Sequence, residues 1–195
     1  MKKRHLSISV LALALASLLR ADQVTLADAK GEGGRGALYR IEGSFEVDAT
    51  RSQVWRVLTD YSALKGVVSS MQASCVISRE GNTVLVEQVA LGHFLFFSKS
   101  IRLLLNVVEE PESGLRFSQA SAKPFRVYDG SWTLEDKDGG VAVTYRLNVS
   151  RADMAPAFIE RGLFKDNARS LLRELKAEIV RRAGLQAAAA KKSRS

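Results

Sequence analysis

One long helix closes this sequence, and nearly everything before it is strand. From Pro156 to Arg182 there is no further proline and one glycine, Gly162. Phe164, Ala168, Leu171, Leu172, Leu175 and Ile179 recur in that span as a single apolar stripe at helical spacing. Pro156 suits the first turn of a helix, and Gly184 predicts its C-cap. The span reads as a helix of about 27 residues, roughly 40 Å long. A sheet built from the preceding strands must cover one face, and this helix is the element large enough to do so.

The strand signals are regular. Tyr39, Ile41, Phe45 and Val47 alternate with Arg40, Glu42, Ser44, Glu46 and Asp48, the pattern of a half-buried strand. Thr50 to Gln53 (TRSQ) forms a capping box, and Val54, Val57, Leu58 and Tyr61 continue it as one face of a short helix. Ser62 to Met71 reads as a loop with a helical turn. Strands are then predicted over Ser74–Arg79, Thr83–Leu91, Phe94–Val108 (one long strand or one with a bulge), Leu115–Ser121, Phe125–Glu135 and Val141–Val149. Turns at Glu80-Gly81-Asn82, Pro111–Gly114 and Asp136–Gly140 separate several of them. The last strand is the clearest: Val141, Val143, Tyr145, Leu147 and Val149 alternate with Ala142, Thr144, Arg146 and Asn148. Short connections make an antiparallel meander. The expected architecture is α+β, an antiparallel sheet of about seven strands wrapped around the C-terminal helix, and the gap between them is the natural place for an apolar ligand.

The N-terminus reads as an address. Lys2, Lys3 and Arg4 precede an apolar run from Leu6 to Leu19, the pattern of a secretory signal peptide. The run is too short to span a bilayer core of roughly 30 Å. Cleavage is expected after Ala21 or after Ala29. The latter lowers the net charge from +8 to +6 by removing Lys2, Lys3, Arg4, Arg20, Asp22 and Asp28. The expected location is periplasmic or secreted, where nucleic acid is not an expected partner despite the basic balance. Residues 30–37, glycine-rich, read as a flexible leader. Residues 38–184 read as one domain, and 185–195 as a disordered basic tail. With 46% apolar and 26% charged residues the chain has the balance of a globular protein. A domain of this size buries enough surface to dispense with metal or disulfide staples. The single cysteine, Cys75, excludes an internal disulfide and a multi-cysteine zinc site.

Side chains with chemistry are few. His93 is the one histidine after the signal segment and reads as a loop or strand-end residue without a catalytic partner. Cys75 reads as a small buried hydrophobe within a strand. Asp60 and Tyr61 read as packing and loop hydrogen bonds at the end of the first helix. Arg161, Lys165, Arg169 and Arg173 stand at i+4 spacing, a basic ridge that either is a solvated helix face or faces an anionic membrane surface. Phe96, Leu103, Phe117, Trp132, Leu134, Tyr145 and Leu147 are expected on the sheet face opposite Phe164, Ala168, Leu171 and Leu175 of the helix. These eleven are the candidate cavity lining, although core packing alone accounts for each of them.

Three segments carry a family resemblance. The first is Phe45-Glu-Val-Asp-Ala49 followed by Ser52-Gln-Val-Trp55, Val57-Leu58 and Asp60-Tyr61. The second is Asp129-Gly-Ser-Trp132-x-Leu134 with Val143-Thr-Tyr145. The third is Pro156 and the amphipathic helix after it. Together they resemble the START-like (SRPBCC, helix-grip) superfamily, closest to its polyketide cyclase/lipid-transport and coenzyme-Q-binding group, over about residues 38–183. These are fold signatures, not catalytic ones. The family usually places a proline- and aromatic-bearing loop after Asp-Tyr; Ala63-Leu-Lys-Gly-Val-Val68 has neither. The resemblance implies a helix-grip fold. It also implies non-enzymatic binding or transport of a hydrophobic small molecule (a lipid, quinone or polyketide-like compound), with no cofactor and no metal. Two alternatives stand beside it. One is a cyclase/aromatase-type enzyme using polar groups such as Tyr145, Arg102, Tyr128 and Asp129. The other is an interaction module with a filled cavity.

Overall fold

The computed structural model describes residues 23–29, 38–94, 97–121, 124–151 and 157–193. Residues 1–22, read above as signal peptide, residues 30–37, read as leader, and Phe96 and Pro156 lie outside them. The strands are β1 (Gln23–Ala29), β2 (Leu38–Val47), β3 (Met71–Glu80), β4 (Thr83–Phe94), β5 (Phe97–Glu110), β6 (Gly114–Gln119), β7 (Phe125–Lys137) and β8 (Gly140–Arg151). The helices are α1 (Arg51–Leu58), α2 (Leu64–Val67) and α3 (Ala157–Lys192), with a 3-10 turn at Tyr61–Ala63. All neighbouring strands are antiparallel, in the order β1-β2-β8-β7-β6-β5-β4-β3. The meander β3 to β8 thus returns to lie beside β2, and α3 follows directly from β8.

Local chemistry explains the boundaries. Thr50 caps α1: its hydroxyl accepts from the Gln53 amide at 3.2 Å, and Gln53 Oε1 accepts from the Thr50 amide at 2.9 Å. The β7–β8 turn places Gly139 at φ 82°, a conformation that favours glycine. On β8, Val141, Val143, Tyr145, Leu147 and Val149 are buried while Arg146 is exposed, so the alternation sets the inner face.

The structure departs from the sequence expectations in four places. The predicted long strand Phe94–Val108 is divided differently: Phe94 ends β4 and pairs with Phe97 of β5, which continues to Glu110. A run of apolar residues without glycine or proline hides that hairpin. The C-terminal helix does not stop at Gly184. It continues to Lys192, because glutamine, alanine and lysine are good helix formers and Lys191 and Lys192 suit the negative end of its dipole. Residues 185–192, expected to be disordered tail, are therefore helical. An eighth strand, β1, pairs with β2 from Gln23↔Ser44 to Ala29↔Leu38 within the segment read as signal peptide. Cys75 is exposed rather than buried. Its strand β3 is the sheet edge, register shifts at Met71/Ala73 and Val76/Ser78 break its alternation, and Ser74 is its one buried residue.

Candidate functional site: an apolar cavity under the long helix

Helix α3 packs on β1, β2, α1 and α2. Ala168, Leu172, Leu175 and Ile179 are buried along it, and Tyr39 of β2 meets Phe164 with ring centroids 5.5 Å apart. Polar ties fix the helix to the segment after β2. Arg182 Nη1 donates to Asp60 at 2.9 Å, Gln53 Nε2 donates to Gln186 at 2.9 Å, and the Ser69 amide and hydroxyl donate to Glu174 at 3.0 and 2.6 Å. Held on this side, α3 stands off the meander and leaves a cavity of about 330 Å³ over β4 to β8. That volume lies at the lower end of small-molecule sites.

Nine of the eleven predicted lining residues border this cavity: Leu103, Phe117, Trp132, Tyr145, Leu147, Phe164, Ala168, Leu171 and Leu175. Leu134 does not. It is 2% exposed, pairs with Val143 across the β7–β8 ladder, and belongs to the packed core. Phe96 lies outside the described residues. Sequence reasoning missed the wall made by Leu58, Tyr61, Leu64, Val68 and Met71, and also Phe125 and Tyr128. The apolar spacing of Leu58, Tyr61, Leu64 and Val68 carried that signal, although the segment reads as a loop. Ser100, Arg102 and Asn167 line the cavity and are exposed, so they mark its rim.

An aromatic wall forms on β6 to β8. Phe117 stacks near Tyr145 (6.2 Å) and tilts against Tyr128 (5.9 Å); Tyr128 meets Phe125 at 5.0 Å and Trp132 meets Tyr145 at 4.5 Å. Gly130 makes this wall possible. A Cβ there would fall on the carbonyl oxygen of Arg146 and within 2.6 Å of Phe117 Cζ, so the phenylalanine ring lies over the bare glycine. This is the physical role of the glycine in Asp129-Gly-Ser-Trp132.

Tyr61 links the cavity wall to a charged cluster. Its hydroxyl donates to Glu109 Oε1 at 2.7 Å, and Arg79 donates to both oxygens of Glu109 at 2.7 and 3.0 Å. Glu109 is 8% exposed, so the bidentate arginine is what keeps its charge tolerable indoors. Burial, and then the bond to Glu109, push the Tyr61 phenol well above its ordinary range.

The remaining candidates are dispersed. Arg102 pairs with Glu87 at 3.0 Å, and Asp129 accepts from Asn148 at 2.9 Å away from the cavity lining. Of the four polar groups considered for catalysis, Tyr128 and Tyr145 are left facing the cavity without such ties. Arg169 pairs with Asp166, the exposed Arg173 reaches the Ser170 hydroxyl, Lys165 is half-buried, and the Arg161 side chain lies outside the described residues. His93 sits in β4 opposite Ser98, near the strand's end. Among the described residues no group of three or more histidine, cysteine or acidic side chains could hold a metal, and no helix is long and apolar enough to cross a membrane.

A meander of antiparallel strands gripping one long helix, with an apolar cavity between them, defines the helix-grip fold. The family model for polyketide cyclase / dehydrase and lipid transport matches residues 47–176, and the chain belongs to that family. Solved structures share the fold. A protein from Thermus thermophilus superposes with a TM-score of 0.64 at 22% identity, covering 74% of this chain and 99% of its own. The Zhui aromatase/cyclase from Streptomyces sp. R1128 gives 0.66 at 14% identity, with 74% and 95% covered. A STAR-related lipid transfer protein from Xanthomonas axonopodis gives 0.63 at 16% identity, with 79% and 98% covered. No curated protein sequence matches the chain.

Proposed function

We propose that this protein binds and carries a hydrophobic small molecule outside the cytoplasm, without transforming it. The observation that carries the reading is the cavity of about 330 Å³ between α3 and the sheet. Its described lining is aliphatic and aromatic, with phenols, hydroxyls, amides and one rim arginine but no carboxylate, imidazole or thiol. Such a surface is suited to binding and orienting an apolar guest. Burial of the guest supplies most of the affinity, at about 25 cal/mol per Å² of apolar surface. A family description that includes lipid transport, and a neighbour titled as a lipid transfer protein, support the same reading.

Export is supported by the basic start and the apolar run after it. Cleavage after Ala21 retains β1 on the open edge of β2, whereas cleavage after Ala29 removes it. Delivery at an anionic surface is the further element of this reading, supported by the exposed Arg169 and Arg173 on the cavity's helix.

Mass spectrometry of organic extracts, on protein purified from its native compartment, tests the function directly. An apolar compound recovered in near-stoichiometric amount is expected. Its absence, together with no binding of an environment-sensitive apolar dye, refutes the carrier. N-terminal sequencing of the exported form tests location, and an intact Met1 on a cytoplasmic protein refutes it.

A further inference from the structure

We infer that Tyr128 and Tyr145 form a polar subsite inside the cavity, and that the guest is an apolar molecule bearing a carbonyl which accepts a hydrogen bond from these phenols. The inference rests on the carrier reading above and narrows it.

The two residues come from adjacent strands, β7 and β8, and flank the same ring, Phe117. Their own rings are fixed by further contacts, Tyr128 stacked on Phe125 and Tyr145 tilted against Trp132. Tyr145 is 4% exposed, and both residues line the cavity. Neither hydroxyl has a hydrogen-bond partner among the described residues, in contrast to Tyr61, whose hydroxyl is bonded to Glu109. Among the described residues, the buried side-chain hydroxyls sealed away without a partner are those of Ser74 and Ser150. Neither phenol is among these, and both residues, the half-buried Tyr128 and the buried Tyr145, border the cavity.

A phenylalanine at either position would keep the ring packing without burying a hydroxyl. An unpaired buried hydroxyl costs free energy that a partner recovers. Burial raises the Tyr128 phenol to about 12 and the Tyr145 phenol well above its ordinary value, so both keep their protons and act as donors at neutral pH. An alkane-like guest would leave both donors unpaired; a ketone, quinone or ester carbonyl would pair them.

Fluorene and fluorenone share a shape and differ in one carbonyl, which makes them suitable probes. Kd for each is measured on the full protein and on Tyr128→Phe, Tyr145→Phe and the double variant. Each single change is expected to weaken fluorenone about 3–10-fold, the worth of one hydrogen bond, while fluorene stays within about twofold. The infrared carbonyl stretch of bound fluorenone should lie at lower frequency in the wild type than in the double variant, a shift that altered packing alone would not produce. Unchanged fluorenone affinity in both single variants, equal weakening of both probes, or a carbonyl stretch identical in wild type and double variant would overturn the subsite and leave the carrier standing. Failure of the wild type to bind either probe would overturn the carrier reading and the subsite together.

Discussion

Ala168→Trp asks whether the space beneath α3 is a vacancy or a packed seam. Ala168 is 4% exposed and lines the cavity between Phe164, one turn earlier, and Leu171, about one turn later. In a close-packed interface an added indole overpacks and costs about 1–3 kcal/mol. For a chain of this length that corresponds to a melting temperature lower by about 2–12 °C. In a cavity of about 330 Å³ the ring has room. A tryptophan side chain buries about 150–250 Å², and at about 25 cal/mol per Å² the gain is bounded near 4–6 kcal/mol before rotamer entropy and imperfect fit are subtracted. The sign of the change therefore differs between the two cases. We expect a melting temperature equal to or above wild type, with affinity for an apolar dye reduced at least about tenfold. The paired assay is thermal melting and dye titration on both proteins. A lowered melting temperature in the variant with no dye binding by the wild type would refute the cavity. A lowered melting temperature with dye bound normally by the wild type would remove Ala168 from its wall.

Three further outcomes follow from the same geometry. Tyr145→Asp places a charge on the inner face of β8 and should destabilise by several kcal/mol, whereas Thr144→Asp, on the opposite face, should change stability by less than about 1 kcal/mol; equal melting temperatures would contradict the observed register. Glu109→Leu strips the Tyr61 hydroxyl and Arg79 of their shared acceptor and should cost about 2–4 kcal/mol in denaturant unfolding, while a value near zero would show that the cluster carries no stability. The Arg181 and Arg182 guanidiniums hold the Glu178 carboxyl at about 2, below the 4.5 of an unperturbed glutamate. Its contribution is thus complete above about pH 4.5 and lost as the pH falls through about 2, so Glu178→Gln should flatten the melting profile between those values, and an unchanged slope would refute the pairing.

What could be read in advance divides along a physical line. Elements with a strong local signal are legible: the alternation of Val141–Val149 is buried as read, the capping box at Thr50 starts α1, and the stripe from Phe164 to Ile179 turns inward, with Ala168, Leu172, Leu175 and Ile179 buried and Phe164 and Leu171 partly so. Where composition gives no punctuation, the reading erred. The sequence places Phe94 in the following strand because no turn residue interrupts the phenylalanine-rich stretch, and Gly184 reads as a stop although alanines and lysines beyond it sustain the helix. Cys75 was misplaced for a different reason: its apolar neighbours suggest burial, but an edge strand has no cover to bury them against.

The cavity itself was the least legible feature, because the same residue types build a dry core and a cavity wall. Leu134 and Trp132 stand two residues apart on one face of β7; the first is sealed in the core and the second borders open space. What separates them is where α3 is held, and that depends on ties between distant residues: Asp60 with Arg182, Ser69 with Glu174, Gln53 with Gln186. These bonds join the segment after β2 to the middle and C-terminal half of the helix across more than a hundred residues of sequence, and no local pattern announces them. They fix the helix beside β2 and leave its N-terminal half, from Leu163 to Leu171, spanning the aromatic wall without filling the space before it. Apolar patterning therefore specifies the grip, whereas polar ties from the middle and C-terminal half of the helix join it to the segment after β2.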